Sequence, residues 1–286
     1  GTRAVLSADE LERVFERCRS EAGAAFGRAE VYVEELLPRV RHVEVQILGD
    51  REGGIAHLGE RECSVQRRLQ KIVEIAPAPA LDAALRADII DAAVRFAKDV
   101  GYTSLGTFEF LVDVSGRPGA QPFVFIETNA RLQVEHTVTE AVTGVDLVQA
   151  QIRLAQGATL KDLGLDAPGI ARPRGYAIQT RVNTETIGPD GSLRPGGGTL
   201  TVYEAPNGPG MRTDGFGYAG YRTSAAFDPL LAKVIVQAPD FAAAVARASR
   251  ALSEFRLEGV STNIAFLRNI LSHADFAAGH VHTRWV

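Results

Sequence analysis

The sequence predicts an α+β fold, because segments with strand alternation and segments with helical spacing both recur along the chain. The clearest strand runs from Arg41 to Leu48, where apolar residues alternate with polar ones. The clearest helix runs from Leu81 to Val100 and ends at Gly101, a residue type that favours helix termination. Residues 115–120 are rich in turn formers and separate two further predicted strands, which is the arrangement of an antiparallel hairpin.

The remaining elements follow the same two patterns. Ser7 to Ala25 has helical spacing, with Ser7 as the N-cap and Glu10 as its partner in a capping box. A polar stretch from Glu60 to Lys71 follows a short strand. The other predicted helices are residues 145–156 and 241–255, and the other predicted strands are residues 1–6 (interrupted), 31–37, 55–58, 107–112, 122–128, 176–182, 199–204 and 232–237.

Composition excludes several classes of protein. The chain has 286 residues, of which 45% are hydrophobic and 23% charged, so a disordered or fibrous protein is not expected. The net charge of -4, with both signs mixed throughout, argues against a nucleic-acid partner. No apolar run reaches the ~20 residues of a membrane helix, so no membrane partner is expected. Cys18 and Cys63 are far apart, which favours a reducing, cytoplasmic setting without a disulfide framework.

One segment carries a row of polar residues at alternate positions. If residues 125–135 form an extended strand, every second side chain from Glu127 to Glu135 projects from the same face. These five residues are Glu127, Asn129, Arg131, Gln133 and Glu135. The pattern has two explanations: a binding site, or an amphipathic strand whose polar face is solvated.

The preceding strand favours the binding site. If the two strands form a hairpin around the turn at Pro118, Glu109 lies directly opposite Glu127. Like charges directly opposed across strands destabilise a sheet, and a divalent cation between them removes that penalty. Asn129 would add a further oxygen, and such hard oxygen ligands suit Mg²⁺, or Mn²⁺ in its place.

Four motifs resemble those of one enzyme family. They are Arg41–Gln46, Glu60–Arg68, Phe108–Phe110 and Glu127–His136. All four closely resemble biotin carboxylases, ATP-grasp ligases that use ATP and bicarbonate to carboxylate biotin by way of carboxyphosphate. The likeness continues through Arg181–Asn183 to Gly259–Asn263.

The resemblance implies a domain organisation. The C-terminal portion of an ATP-grasp domain would occupy residues 1–163, and a connector, rich in proline, residues 164–174. A biotin carboxylase C-terminal domain, with a mainly antiparallel sheet, would occupy residues 175–286.

The resemblance also implies roles for individual residues. Glu109, Glu127 and Asn129 would hold the metal, while Lys71, Arg131, Gln133 and the backbone at Val134 would bind bicarbonate. The catalytic set comprises Glu135 as general base, Arg131, Lys71, and Arg181 for the enolate oxygen of biotin. The cofactor-binding set comprises Glu34 and Leu37 at the adenine, Gln66 at the ribose, and His42, Gln133 and Val134. Without the resemblance, Lys71 and Arg181 would be interpreted as surface charges. His42 and His136 are expected to be structural histidines, bonded to backbone or to a neighbouring carboxylate.

The chain departs from the family pattern at four places. The glycine-rich phosphate loop and the first domain of the family would precede Gly1, so residues 1–286 alone are expected to be inactive. Glu35 stands where members usually carry a lysine, and Leu69 where some carry a ribose-binding histidine. Thr137 replaces a common proline, a change expected to be local.

The resemblance further implies partners. A biotin carboxyl carrier domain and a carboxyltransferase domain are expected, on the same chain or on separate subunits, together with homo-oligomerisation. The motifs Asn129–Arg131 and His136–Thr139 resemble those of multidomain acyl-CoA carboxylases, which favours an acyl-CoA as the carboxyl acceptor. The carboxyltransferase domain chooses the acceptor, so pyruvate and urea stay open as alternatives. Two alternatives stay open: another ATP-grasp ligase, of the carbamoyl-phosphate or carboxylate–amine type, and a non-catalytic scaffold.

Overall fold

The computed structural model describes residues 3–166, 173–188, 191–224 and 227–286. The chain divides into two compact units, Gly1–Pro38 and Arg39–Val286. Residues 167–172, most of the predicted connector at 164–174, lie outside the described residues, and a domain boundary at the connector stays a prediction. Among the helices of the described residues, none combines the length and the apolar character needed to cross a membrane.

The first unit contains the predicted helix but not its predicted cap. A 3₁₀ turn, Ala8–Glu10, leads into α1 (Leu11–Phe26). Ser7 makes no side-chain cap hydrogen bond, so the predicted capping box is wrong. The reason is that the backbone N–H of Glu10 bonds to the carbonyl of Ser7 within the 3₁₀ turn, which moves the start of the α-helix past Glu10.

Two predicted strands of the first unit are also wrong. Arg3 to Leu6 and Val31 to Leu37 have irregular backbone, while residues 1–2 lie outside the described residues. A strand is stabilised by hydrogen bonds to a neighbouring strand, and the described part of the unit offers neither segment such a partner. The side chains of Tyr32 and Val33 are accordingly exposed.

The second unit is built on an antiparallel sheet of eight strands. In chain order its strands are β1 (Val40–Gly49), β2 (Ile55–Arg67), β3 (Gln70–Ala76), β4 (Ser104–Asp113), β5 (Phe123–Asn129), β6 (Tyr176–Asn183), β10 (Met211–Gly215) and β11 (Leu230–Ala238). Two short hairpins pair β7 (Glu185–Ile187) with β8 (Leu193–Pro195), and β9 (Val202–Glu204) with β12 (Arg256–Glu258). The spatial order of the large sheet is β10-β11-β6-β3-β2-β1-β4-β5. Because β3 pairs with β6, strands from both sides of the predicted connector belong to one sheet.

The strands that the sequence predicts in this unit lie where expected, with two differences: the strand predicted at residues 199–204 is confined to β9, and β2 is longer than predicted. Residues 55–58 were expected to form a short strand followed by a polar stretch, but β2 continues to Arg67 and β3 starts at Gln70. Arg68 and Leu69 form the tight turn between them, both with positive φ. The polar residues of β2 from Glu60 to Arg67 are buried, whereas the sequence pattern alone marked this stretch only as polar.

Helices cover both faces of the sheet. On one face, α2 (Ala83–Asp99) packs on β1 and β4, and α5 (Phe241–Glu254), α6 (Ile264–Ser272) and α7 (Ala274–Ala277) pack near β3, β6 and β11. On the other face, α3 (His136–Thr143) buries Val138 and Val142 against Ala76 and Ala177. On that same face α4 (Leu147–Ala155) packs on the ends of β1 and β4. Between the α3 and α4 contacts the sheet carries charged side chains.

Candidate active site

A row of four charged side chains crosses four neighbouring strands. Glu44 of β1 lies directly opposite Arg61 of β2 on one side and Glu109 of β4 on the other. Glu109 in turn lies directly opposite Glu127 of β5. The predicted pairing of Glu109 with Glu127 is therefore confirmed, and the row contains one more glutamate than the sequence suggested.

Two cations stabilise Glu44 inside the protein. Arg61 is completely buried, and its Nε donates to Glu44 Oε1 at 2.6 Å. Lys71 Nζ donates to Glu44 Oε2 at 2.6 Å. Burial by itself would raise the pKa of Glu44, but the charges of Arg61 and Lys71 outweigh it and lower that pKa. Glu44 is thus a carboxylate at neutral pH because it is paired on both oxygens.

Glu109 is surrounded by donors. Its Oε1 accepts from Gln133 at 2.7 Å and from Lys71 at 3.3 Å, and its Oε2 lies 2.6 Å from His42 Nε2. Burial opposes ionisation, yet the hydrogen bond with His42 and the charge of Lys71 outweigh it and lower the pKa of Glu109 to about 2. Glu109 is therefore ionised over the whole physiological range.

Asn129 lies between the two opposed carboxylates. Its Nδ2 donates to Glu109 Oε1 at 2.8 Å and to Glu127 Oε1 at 2.9 Å. The amide N–H groups thereby offset the repulsion that the strand register creates. Carboxylate and amide oxygens are the ligands that Mg²⁺ and Mn²⁺ prefer, so the three residues fit such an ion. Their role as metal ligands stays a prediction.

A second cluster forms beside this row. Glu135 is buried, and its Oε1 accepts from Lys71 Nζ at 2.7 Å while its Oε2 accepts from Arg181 at 3.1 Å. Burial alone would lower the pKa of Lys71, but Glu44 and other neighbouring acidic groups raise it, so the ammonium stays charged. Lys71 and Arg181 are therefore part of the cluster and not surface charges.

The polar row at residues 127–135 is not a continuous strand, so that prediction is wrong. β5 ends at Asn129, and α3 begins at His136. The chain leaves the strand and forms α3 because the helix buries Val138 and Val142 in the core, whereas a continuation of β5 at the sheet edge would not. The intervening turn still brings Gln133 and Glu135 to the site.

Arg131 and Val134 belong to the same turn. The exposed side chain of Arg131 donates to Asn129 Oδ1 at 3.1 Å, next to the predicted metal ligands. The backbone carbonyl of Val134 accepts from Lys233 Nζ at 3.0 Å. Lys233 was not predicted, and it holds this turn against β11.

The predicted nucleotide contacts fall in both units. Gln66 Nε2 lies 2.7 Å from His42 Nδ1, so Gln66 and His42 form a hydrogen-bonded chain that leads to Glu109. His42 is thus bonded to a neighbouring carboxylate, Glu109, and His136 is bonded to the backbone carbonyl of Gln133 at 2.7 Å, the two kinds of partner expected for these histidines. Glu34 and Leu37 lie in the first unit, in the irregular segment after α1. That any of these residues binds the nucleotide stays a prediction.

Sequence reasoning missed several buried charges of the site. Glu44 stands between Val43 and Val45, and the strand alternation places it on the same face as His42, so a signal was available. Glu74 likewise stands between Val73 and Ile75, so the same signal was available there, whereas Arg61 lies in the stretch from Glu60 to Lys71, which the sequence pattern marks only as polar. Only the packing of β2 and β3 inside the sheet buries them.

Two family models match the chain in succession. The first is described as "Carbamoyl-phosphate synthase L chain, ATP binding domain" and matches residues 1–163. The second is described as "Biotin carboxylase C-terminal domain" and matches residues 179–286. The chain belongs to the biotin carboxylase family. The predicted fold class, an ATP-grasp portion followed by a biotin carboxylase C-terminal domain with an antiparallel sheet, is thereby confirmed.

Individual members of the biotin carboxylase family are similar over the whole chain. A biotin carboxylase of Nostoc sp. is 47% identical, with 100% of this chain and 62% of the relative covered. The mitochondrial pyruvate carboxylase of Homo sapiens is 50% identical, with 100% of this chain and 24% of the relative covered. The solved biotin carboxylase domain of Hydrogenobacter thermophilus 2-oxoglutarate carboxylase is 42% identical, with a TM-score of 0.88, and covers 97% of this chain and 59% of that one. The chain thus spans less than two thirds of each of these relatives.

Proposed function

We propose that the protein containing this chain carboxylates biotin, using ATP and bicarbonate and releasing ADP and phosphate. The observation that carries the proposal is the buried carboxylate of Glu135, flanked by Lys71 and Arg181 and adjacent to the opposed Glu109 and Glu127. Family membership supports it, as does a relative that is named a biotin carboxylase. The Hydrogenobacter relative was solved with MgADP and bicarbonate.

Glu109, Glu127 and Asn129 would hold Mg²⁺ or Mn²⁺ against the phosphates of ATP. When bound, such an ion neutralises phosphate charge, and phosphoryl transfer depends mainly on charge neutralisation and positioning. The ionised state of Glu109, with its pKa of about 2, suits a ligand of a divalent cation. His42 and Gln133 would keep this carboxylate in place through their hydrogen bonds.

Lys71, Arg131, Gln133 and the backbone at Val134 would bind bicarbonate. Bicarbonate is planar and anionic, so it suits the planar donor fork of Arg131 and the point charge of Lys71. Glu135 would take the bicarbonate proton while a bicarbonate oxygen attacks the γ-phosphorus. The bond from that phosphorus to the β-phosphate oxygen would break, so ADP leaves and carboxyphosphate forms.

Arg181 would act on the second substrate. Carboxyphosphate would break down to CO₂ and phosphate, and that phosphate would accept the proton of the biotin nitrogen. The deprotonated nitrogen would then attack the carbon of CO₂, and the new N–C bond gives carboxybiotin. The guanidinium of Arg181 would stabilise the negative charge that develops on the biotin oxygen. Glu34, Leu37, Gln66 and His42 are proposed to contact the nucleotide.

The test is ATP turnover by the full-length protein that contains residues 1–286. We expect Mg²⁺-dependent ADP release that requires bicarbonate and is stimulated by biotin. Another ATP-grasp ligase would turn over ATP without any response to biotin, and a scaffold would not bind Mg-ATP saturably. Either of these results would contradict the proposal.

The final carboxyl acceptor is a property of the whole protein and not of residues 1–286 alone. Sequence resemblance suggested an acyl-CoA acceptor, whereas matched relatives are named pyruvate carboxylase and 2-oxoglutarate carboxylase, which favours a 2-oxo acid. Comparing pyruvate, 2-oxoglutarate and acetyl-CoA as acceptors for the full-length protein decides between them.

The domain organisation, the oligomeric assembly and the cellular compartment are also properties of the whole protein. We propose that this chain works with a carrier domain and a carboxyltransferase domain, on the same chain or on separate subunits. Its own domains are proposed to span residues 1–163 and 175–286. We also propose a homo-oligomer, and the Hydrogenobacter domain was solved as a dimer. The cytoplasmic setting stays a prediction, since the human relative is named mitochondrial.

A further inference from the structure

We infer that Glu74 is a positioning residue that fixes the direction of the Arg181 guanidinium, and that Gln179 and Thr137 hold Glu74 in turn. The inference rests on the proposed function, because it concerns how Arg181 is aimed at the biotin. Neither Glu74 nor Gln179 belongs to the residues assigned to metal, bicarbonate or nucleotide.

The buried Glu74 forms a hydrogen bond with Arg181. Glu74 lies on β3 and is completely buried, and its Oε1 accepts from Arg181 Nε at 2.6 Å. In the sheet, Glu74 pairs directly with Gln179 of β6, and Arg181 is two residues further on the same face. The pair is therefore a diagonal contact between adjacent strands, fixed by the sheet itself.

The other end of the Arg181 guanidinium contacts a second carboxylate, that of Glu135. While Nε bonds to Glu74, a terminal nitrogen of Arg181 donates to Glu135 Oε2 at 3.1 Å. Two carboxylates on different elements thus fix the plane of the guanidinium. Glu135 is proposed to react, but Glu74 lies behind Arg181 and is not exposed. The support that stays constant during the reaction is therefore Glu74.

Gln179 and Thr137 connect Glu74 to the start of α3 through hydrogen bonds. Gln179 Nε2 donates to Glu74 Oε2 at 2.9 Å, and the hydroxyl of Thr137 donates to the side-chain oxygen of Gln179. Thr137 comes two residues after Glu135, in the first turn of α3. A linked series of side chains therefore begins just before α3 and returns to its start: Glu135, Arg181, Glu74, Gln179 and Thr137. The common proline of the family at position 137 has no hydroxyl, so it could not make the last of these bonds.

A purely structural role for a buried ion pair is the competing explanation, and the chain offers a matched control. Arg41 and Glu62 also form a buried pair, with Arg41 Nε donating to Glu62 Oε2 at 2.7 Å. Glu62 pairs with Val43, so it lies on the α2 face, opposite the candidate site. The variants Glu74→Gln and Glu62→Gln remove the same charge from the two faces of one sheet.

The proposed reaction separates the two roles. Its first step needs only ATP and bicarbonate, so turnover without biotin and turnover with biotin can be measured on the same full-length protein. For Glu74→Gln we expect biotin-dependent kcat/KM to fall on the order of tenfold to a hundredfold, with biotin-free turnover changed by less than about twofold, because misplacing a group by about 1 Å has effects of this size. For Thr137→Val we expect the same split with a smaller loss, and for Glu62→Gln no split.

Each outcome bears on one conclusion. The inference is overturned if Glu74→Gln lowers both turnovers in proportion, if it changes neither, or if Glu62→Gln reproduces the split. Should Glu74→Gln not fold, Thr137→Val decides, and an unchanged ratio of the two turnovers in that variant overturns the inference. A wild-type protein that turns over ATP without any response to biotin would instead contradict the proposed function.

Discussion

The two faces of the large sheet are built from alternate residues of the same strands, yet in the middle of β1 and β4 they bury different chemistry. On the face covered by α2, Val43, Val45 and Phe108 are packed among apolar side chains. On the opposite face, Glu44 and Glu109, the neighbours of those residues in sequence, are buried as charges. One residue along the strand therefore separates an apolar core from a charged site.

The difference shows what each kind of burial requires. Apolar side chains on the α2 face need only a close-packed neighbour. A buried carboxylate needs a cation or several N–H donors, because an isolated charge is very costly away from water. Arg61 and Lys71 meet that need for Glu44, and His42 and Gln133 do so for Glu109.

The largest expected effect comes from removing the proposed catalytic base on the charged face, which should lower the reaction rate. Glu135→Gln keeps the shape of the side chain but removes the proposed base, so we expect bicarbonate-dependent ADP formation by the full-length protein to fall by about 10²–10⁴-fold. Glu62→Gln, the same change on the α2 face, should leave that rate near the wild-type value. Equal losses in the two variants would show that the faces do not differ in function.

The next effect is on stability and concerns the pairing of buried charges. Arg61→Met leaves Glu44 with one of its two cations, and removing a partner from a buried pair costs about 3–5 kcal/mol in the free energy of unfolding. The double variant Arg61→Met, Glu44→Gln removes the uncompensated charge and should recover part of that loss. Denaturant unfolding of the wild type, the single variants Arg61→Met and Glu44→Gln, and the double variant measures the coupling, and an Arg61→Met variant as stable as wild type would contradict the expectation.

A core deletion on the α2 face should change stability without changing chemistry. Ile47 is completely buried among β1, β4 and α2, so Ile47→Ala should cost about 2–5 kcal/mol in the free energy of unfolding. Below the unfolding temperature, the KM for bicarbonate should equal that of wild type. A shifted KM would mean that packing on one face controls geometry on the other.

The smallest expected effect depends on pH and tests a carboxylate held by N–H donors instead of cations. Asp50 accepts from the backbone of Gly54 at 2.7 Å and of Leu160 at 2.9 Å. Burial opposes ionisation, but these bonds outweigh it and lower the pKa of Asp50 below its ordinary value of 3.8. The resulting stabilisation is complete above the ordinary pKa and is lost as the pH falls through the lowered one.

The variant Asp50→Asn isolates this contribution. Its melting temperature should lie below that of wild type at pH 7, and the difference should shrink as the pH falls below about 4, where the unfolded-state carboxyl becomes protonated. A difference that is constant from pH 7 to pH 3 would show that shape, and not charge, makes Asp50 stabilising.

Local patterns predicted most elements where a long periodic segment was present. The helices at residues 81–100 and 145–156 and the hairpin containing Glu109 and Glu127 are found as expected. The failures occurred where local and tertiary preferences compete. Residues 130–135 alternate like a strand but form a turn before α3, and the polar stretch that begins at Glu60 was not predicted as a strand but continues β2 inside the sheet.

By itself, the sequence determined the family, the opposed pair Glu109 and Glu127, and which side chains along each strand share a face. Each of these follows from motifs or from spacing along a short stretch of chain. Only the tertiary structure decided that Lys71 contacts Glu135, and that Glu74 contacts Arg181, 107 residues away in the chain. The physical reason is that such contacts depend on the order of the strands in the sheet, which is set by the packing of the whole unit and not by any local pattern.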